Sequence, residues 1–175
     1  MDLKKYIRSI PNYPKKGILF RDITTLIKDK DAFKECIDQM SKLVMKLNFD
    51  KIASIESRGF VFASALCYNL SKSLILMRKK DKLPAAKYSQ EFKLEYGKAT
   101  LELHKDSITP KEKILIIDDL IATGGTAEAG AKLVEKSSGI VGGFIFVINL
   151  FDMGGKKLLE NKGYKAFSLI DFPGH

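Results

Sequence analysis

Asp118 and Asp119 follow four apolar residues, Ile114, Leu115, Ile116 and Ile117, and precede the tetrad Thr123, Gly124, Gly125 and Thr126. An apolar run, a carboxylate pair, a glycine turn and then a helix can together bind a phosphorylated sugar. Ionised carboxylates only accept hydrogen bonds, so a neighbouring pair suits two adjacent ribose hydroxyls, one of which can also meet a metal ion. Adjacent glycines let the main chain come close to a ligand. Backbone N–H groups, threonine hydroxyls and the positive end of the following helix then suit a phosphate dianion. The same residues would equally serve to end a strand and turn the chain, because glycine turns are common between strand and helix.

Other side chains offer parts of the same chemistry. Arg58 followed by Gly59 at a strand-to-helix junction forms an anion site. Arg78, Lys79 and Lys82 can add positive charge, a solvated basic loop being the plainer reading of these three. Phe20 reads either as a core aromatic or as a face for a flat heterocycle. Glu95 beside Tyr96 reads, on its own, as an exposed strand residue.

The elements that must position these groups alternate along the chain. Phe33, Ile37, Met40, Val44 and Leu47 recur at helical steps within residues 31–47, one face of an amphipathic helix with Asp29 or Asp31 as its cap. Short apolar or β-branched runs at 51–56, 74–77, 113–118, 140–150 and 166–170 read as strands, and 59–70, 126–136 and 156–160 as helices. This alternation predicts an α/β fold, with right-handed βαβ units around a central, mainly parallel sheet flanked by helices on both faces. In such a sheet ligands sit beyond the carboxyl ends of the strands, where Asp118 and Asp119 fall. Residues 10–25, with Pro11, Pro14 and Gly17, and the polar, basic residues 79–93 break the pattern and read as irregular binding loops or lids. The second of these leads into an alternating stretch around 94–103.

The 175 residues are 45% hydrophobic and 29% charged, the composition of an ordinary soluble globular protein. No linker, repeat or low-complexity tract divides them, so 1–175 is expected to be one domain. No segment approaches the roughly 20 apolar residues of a membrane span, and the first residues hold no apolar run of signal-peptide length, so the cytoplasm is the expected compartment. Cys36 and Cys67 fall in different predicted helices and read as buried thiols rather than a disulfide. With only His104 and His175, the usual Cys and His zinc arrangements cannot be assembled. A net charge of +9 favours anionic partners without choosing among nucleic acid, acidic lipid and phosphorylated metabolites.

The string ILIIDDLIATGGT, residues 114–126, resembles the pyrophosphate–ribose binding motif of the type I phosphoribosyltransferases without interruption. That resemblance implies 5-phosphoribosyl-1-pyrophosphate as a ligand of Asp118, Asp119, Ala122, Thr123, Gly124, Gly125 and Thr126. Oxopurine-using members typically place an aspartate just before the loop threonine, where it exchanges a proton with the purine N7. Here that position is Ala122. Three further segments, PKKGILFRDIT (14–24), IESRGFVFA (55–63) and KLPAAKYSQEFKLEYG (82–97), together with FSL (167–169), resemble the adenine-specific branch of that family. The branch implies a small N-terminal hood over residues 1–25 that recognises the base, and a flexible lid loop over residues 80–95.

Carried onto this chain, the resemblance implies that adenine lies between Phe20 and Leu120, with the backbone around Leu19 reading its Watson–Crick edge and Arg21 beside it. Backbone N–H and C=O groups match the N1 acceptor and 6-amino donor of adenine, whereas a 6-oxo purine would oppose like to like. Glu95 matches the catalytic glutamate that exchanges a proton with N7, and Tyr96 supports the lid or touches pyrophosphate. In ESRGF the family uses a cis peptide, here between Glu56 and Ser57, to turn N–H groups toward pyrophosphate. Arg58 is then the charged fork, Gly59 opens the helix, and Arg78, Lys79 and Lys82 add charge.

The implied activity is a pentosyl transfer in purine salvage: adenine and 5-phosphoribosyl-1-pyrophosphate give AMP and pyrophosphate. The implied cofactor is Mg2+, bound mainly through the phosphoribosyl pyrophosphate and not by dedicated protein ligands. A homodimer is implied, with neither nucleic acid nor membrane as partner. The alternatives are a hypoxanthine or xanthine phosphoribosyltransferase, some of which also carry alanine in the loop, and a non-enzymatic phosphoribosyl-pyrophosphate-sensing regulator. Such regulators usually bring an added helix-turn-helix domain, for which there is no spare length. The chain departs from the family at Lys80 and Asp81, where Pro-Gly is common, at Asn149, where glutamate is frequent, and in an extra tail, residues 172–175.

Overall fold

The computed structural model describes residues 1–93 and 97–174. In chain order they form strands β1 (Arg8–Pro11) and β2 (Leu19–Asp22), helices α1 (Thr24–Ile27) and α2 (Lys30–Val44), strand β3 (Lys51–Ile55), helix α3 (Gly59–Leu70) and strands β4 (Ser73–Lys79), β5 (Lys87–Lys93), β6 (Lys98–His104) and β7 (Lys113–Ile121). Helix α4 (Gly125–Lys136), strand β8 (Ile140–Leu150), helix α5 (Gly155–Asn161) and strand β9 (Ala166–Phe172) follow. Among the described residues the main sheet has seven strands in the order β5-β6-β4-β3-β7-β8-β9. The five from β4 to β9 run parallel, as the alternation predicts, whereas β6 runs antiparallel to β4 and β5 antiparallel to β6. No helix among the described residues is long and apolar enough to cross a membrane.

Two cores sandwich the sheet, and β7 shows why. Successive strand residues face opposite sides. Leu115 and Ile117 therefore join a core with Cys36 and Met40 of α2 and Phe62 and Leu66 of α3. Ile114 and Ile116 join the other, with Ala127 and Leu133 of α4 and Leu159 of α5. A strand covered on both faces reads as an unbroken apolar run. Helix α2 begins at Asp29, whose carboxylate accepts from the N–H groups of Asp31 (3.1 Å) and Ala32 (2.9 Å). Its predicted stripe is buried at Ile37, Met40 and Val44, while Leu47 lies beyond the helix end. Cys36 and Cys67 are free and buried.

The two segments that broke the sequence pattern are more regular than predicted. Within residues 10–25, β2 pairs with β1 as a separate two-stranded ribbon, from Arg8 opposite Asp22 to Pro11 opposite Leu19. Strands of this length carry too little alternation to be seen in sequence. Within residues 79–93, β5 lies at the edge of the main sheet and pairs with β6 from Lys87 opposite His104 to Lys93 opposite Lys98. Charged side chains on an exposed edge strand guard it against further pairing, and they also hide its strand pattern. Asp81, at the position where glycine is common, holds φ +63°, a region that aspartate tolerates better than most residues. Its N–H donates to Glu102 at 3.0 Å, and the same buried carboxylate pairs with Lys87 at 3.2 Å. Glu102 thus ties the turn after β4 to both strands of the hairpin.

The turn joining β7 to α4 rests on α5. Gly155 N–H donates to the Ala122 carbonyl at 2.9 Å, and a Cβ at Gly155 would stand 2.3 Å from that oxygen and 2.6 Å from Gly124 N. Both are backbone atoms, which cannot swing aside as a flexible side chain can. Gly155→Ala is expected to destabilise the protein by about 1–3 kcal/mol, as overpacking does. Thermal denaturation should show a Tm lower by at least about 2 °C; an unchanged Tm would mean that the turn has more room than this packing allows.

Candidate active site

Strand β3 pairs with β7 only as far as Ser54 opposite Ile117. Strand β7 runs on beside β8, with Asp118 opposite Phe146 and Ile121 opposite Asn149. The two aspartates therefore lie within a strand, which extends past the predicted limit of residue 118. Two charges had masked the continuation of its apolar pattern. They nonetheless stand beyond the paired end of β3, where a parallel sheet opens.

A cleft of about 500 Å³ lies there, walled by Phe20 and Tyr13 from the ribbon, by Glu56, Ser57 and Arg58 between β3 and α3, and by Asp118, Asp119 and Leu120. Lys79, Phe92, Leu101 and Thr126 complete much of its lining. A smaller cup of about 140 Å³ shares Asp118, Leu120 and Thr126 with the cleft and adds Ala122, Thr123 and Gly124. Gly124, at φ +89°, caps α4 without a side-chain hydrogen bond. The start of α4, whose first N–H groups have no acceptor within the helix itself, opens on this cup.

Arg58 links the parts of the cleft. Its Nη2 stands 2.8 Å from Asp119 Oδ2, although no N–H points squarely at that oxygen, which lacks an aligned donor. Charge and proximity hold the pair rather than a well-directed hydrogen bond. The same guanidinium lies 5.1 Å from the centroid of the Phe20 ring, and Tyr13 meets that ring edge-on at 5.1 Å. Asp118 Oδ1 accepts from the Asp119 N–H at 2.8 Å. A Cβ on Gly59 would stand 2.9 Å from the same Asp118 oxygen, so only glycine lets α3 begin so close to the carboxylate. Burial, and after it the neighbouring charge of Asp119, pushes the Asp118 carboxyl well above its ordinary pKa. Burial also raises Asp119, but Arg58 opposes the shift. Of the two, Asp118 keeps a proton to higher pH.

Glu56 lines the cleft, and its carboxylate is engaged by the end of β4. It accepts from the Lys79 N–H at 2.9 Å and pairs with Arg78 at 3.3 Å. Burial alone would raise its pKa; the Lys79 N–H and the Arg78 side chain outweigh burial and hold the carboxyl below its ordinary value. The Glu56–Ser57 peptide is cis, as is Tyr13–Pro14. Arg78, committed to Glu56 and within 3.5 Å of the Lys82 carbonyl, ties the end of β4 to this turn.

Arg21 also departs from its expected place. On a strand, neighbours face opposite sides, so with Phe20 in the cleft the Arg21 guanidinium faces away. It donates to Ser9 Oγ and to the Pro173 carbonyl. Leu19, Gly59, Arg78 and Lys82 likewise do not line the cleft or the cup among the described residues. Gly125 opens α4 with the Lys93 carbonyl 3.1 Å from where its Cβ would be. Glu95 and Tyr96 lie outside the described residues. Tyr13, Phe92 and Leu101 line the cleft without having been singled out, since a proline-rich stretch and a charged edge strand gave them no periodic signal. Among the described residues no group of three or more His, Cys, Asp or Glu could hold a metal ion. The Asp118 and Asp119 oxygens are hard donors of the kind that complete the shell of a Mg2+ carried mainly by a polyphosphate.

Asp118→Asn keeps the acceptor for the Asp119 N–H and removes a half-buried carboxyl that is costly to ionise beside another carboxylate. It is expected to stabilise the ligand-free protein by roughly 0.5–2 kcal/mol. The sign follows from the raised folded pKa. Wild-type stability falls as pH rises from the ordinary carboxylate value through the folded pKa, so the advantage of the variant is full above the folded pKa and disappears as pH drops to the unfolded one. Urea denaturation across that range should show it, and a variant equally or less stable at neutral pH would contradict it.

The geometry agrees with what the chain resembles. The phosphoribosyl transferase domain family matches residues 23–172. A protein of Pelagibacter ubique named adenine phosphoribosyltransferase is 65% identical over 175 residues, covering 100% of both chains. The crystal structure of adenine phosphoribosyltransferase from Thermoanaerobacter pseudethanolicus superposes with a TM-score of 0.94 at 46% identity, covering 98% of each chain. That of the Saccharomyces cerevisiae enzyme, complexed with an imino-altritol bisphosphate and adenine, superposes with a TM-score of 0.89 at 31% identity over 97% of each chain. The seven-stranded sheet, the carboxylate pair on β7 and the cup at the start of α4 thus sit in a chain that belongs to the phosphoribosyl transferase family and, within it, to the adenine phosphoribosyltransferases.

Proposed function

We propose that the chain joins adenine to 5-phosphoribosyl-1-pyrophosphate, forming AMP and releasing pyrophosphate, with the chemistry in the cleft between Phe20 and Asp118. The observation that carries this reading is the carboxylate pair of β7 set between an aromatic wall and the cup at the start of α4. The cup takes the 5-phosphate through the amides and hydroxyls of Thr123, Gly124, Gly125 and Thr126. Asp118 and Asp119 accept hydrogen bonds from the ribose hydroxyls and favour the positive charge that grows on the sugar. The backbone at Ser57, Arg58 and Lys79 faces the pyrophosphate. Mg2+, when bound through the pyrophosphate with these carboxylates nearby, neutralises charge on the leaving group.

Adenine lies against Phe20 on one face and Leu120 on the other, and residues 1–25 act as the hood that reads it. Among the described residues strand β2 pairs with β1 alone; its other edge carries backbone N–H and C=O groups that can read the base. As N9 forms its bond to the anomeric carbon, the bond from that carbon to the pyrophosphate oxygen breaks with inversion, and the N7 proton passes to Glu95. Ala122 leaves no carboxylate in the cup for an oxopurine N7. Lys93, two residues before Glu95, lies against Gly125, which favours residues 80–95 as the lid that excludes water. Exposed Tyr68 and Val61 on α3 and Met45 after α2 favour a homodimer. The buried thiols favour a cytoplasmic setting.

Incubation with Mg2+, adenine and 5-phosphoribosyl-1-pyrophosphate is expected to release pyrophosphate and form AMP. The kcat/KM for adenine should exceed that for hypoxanthine, xanthine or guanine by about 10³-fold or more, because a mismatched polar edge is left unpaired. Folded protein that made no AMP, or that favoured an oxopurine, would overturn the reading. Glu95→Gln is expected to lower kcat by about 10²–10⁴-fold with little change in KM for adenine, the signature of a lost proton transfer. Steady-state kinetics would check it, and a full kcat would remove Glu95 from the mechanism.

A further inference from the structure

The tail beyond β9 stands against the strand that carries Phe20. Arg21 Nη2 donates to the Pro173 carbonyl at 2.8 Å. Its guanidinium lies 4.3 Å from the centroid of the Phe172 ring, which Lys4 Nζ also approaches at 4.8 Å. Because Arg21 Nη1 donates to Ser9 Oγ on β1, one guanidinium joins both strands of the ribbon to the tail. The Gly174 N–H donates in turn to Asp152 Oδ1 at 2.7 Å, and a Cβ on Gly174 would stand 2.6 Å from the Met153 side chain. The tail is therefore tied to the turn after β8 and lies close against it. Arg21 is only 5% exposed, and burial lowers its pKa while the Asp152 charge opposes that shift. A buried guanidinium is costly without partners, so its partners decide where it sits.

We propose that residues 172–174 form a clamp that positions the adenine subsite. By gripping Arg21 through the Pro173 carbonyl and the Phe172 ring, the clamp fixes β2, and with it the Phe20 ring and the free backbone edge that meet the base. The proposal rests on the reading of β2 as the base-recognition strand. Arg21 acts here as a positioning residue: it faces away from the cleft and works through its neighbour. Proline suits the clamp because its ring fixes φ, removing one of the two backbone rotations that aim its own carbonyl.

Two variants release the clamp in different ways. Deletion of residues 173–175 removes the carbonyl acceptor of Arg21, and Asp152→Ala frees Gly174 while keeping every residue of the tail. Each is expected to raise KM for adenine about tenfold, the worth of one hydrogen bond to a charged group, while KM for 5-phosphoribosyl-1-pyrophosphate stays within about twofold. Arg21→Ala combined with the deletion should raise it no further than Arg21→Ala alone, because both remove one contact. Unchanged adenine KM in both variants, a parallel rise in both KM values, or multiplicative effects in the double variant would overturn the clamp. Should the deletion fail to fold, Asp152→Ala decides alone. Phe20→Ala tests the underlying reading separately: if it leaves KM for adenine unchanged, β2 is not the base site, whatever the tail does.

Discussion

Two carboxylates placed side by side at the open end of a buried parallel sheet repel each other and lose solvent, and the surrounding structure compensates them only in part. Arg58 stands 2.8 Å from Asp119 but has no N–H aimed squarely at it, and Asp118 accepts from the backbone N–H of Asp119. The pair is consequently better suited to a ligand than to the empty protein. Burial and the neighbouring charge of Asp119 together hold the Asp118 carboxyl above its ordinary pKa, a perturbation of the kind that clusters at functional sites. Stability given up at such a site is the usual counterpart of activity.

Much of the rest follows from keeping that pair in place and approachable. Glycine at position 59 lets α3 begin against Asp118, and glycine at position 155 lets α5 support the turn after β7. Both are contacts in which a methyl group would strike a neighbouring group. Arg58 reaches from Asp119 to the Phe20 ring, so that one side chain borders both the carboxylates and the aromatic wall of the cleft. Glu56, with Arg78 and the Lys79 N–H, fixes the turn that presents Ser57 and Arg58.

The walls of the cleft come from segments remote in sequence and outside the parallel sheet proper. The ribbon supplies Tyr13 and Phe20, and the edge hairpin supplies Phe92 and Leu101. Each is secured by a buried polar anchor: Arg21 for the ribbon, through the C-terminal tail, and Glu102 for the hairpin, through Lys87 and the Asp81 N–H. Such anchors tolerate little change because a buried charge left without its partner is strongly destabilising. They make the periphery of the site as defined as its centre.

Local pattern determined the central architecture. The apolar runs at 51–56, 113–118 and 140–150 and the stripe of α2 specify strand and helix because burial imposes periods of two and 3.6 on whatever sequence fills them. The unbroken ILIIDDLIATGGT placed the carboxylates and the cup together, since adjacent residues stay adjacent in any fold. What depended on contacts between distant residues was not legible in this way. That β7 continues past its aspartates is decided by pairing with β8, and that residues 87–93 are a strand by pairing with β6. That Arg21 faces the tail and not the cleft follows from the side of β2 that Phe20 takes. A side chain's type is written in the sequence, but its direction is set by which neighbours the tertiary fold brings to it, and for Arg21 those neighbours stand at the other end of the chain.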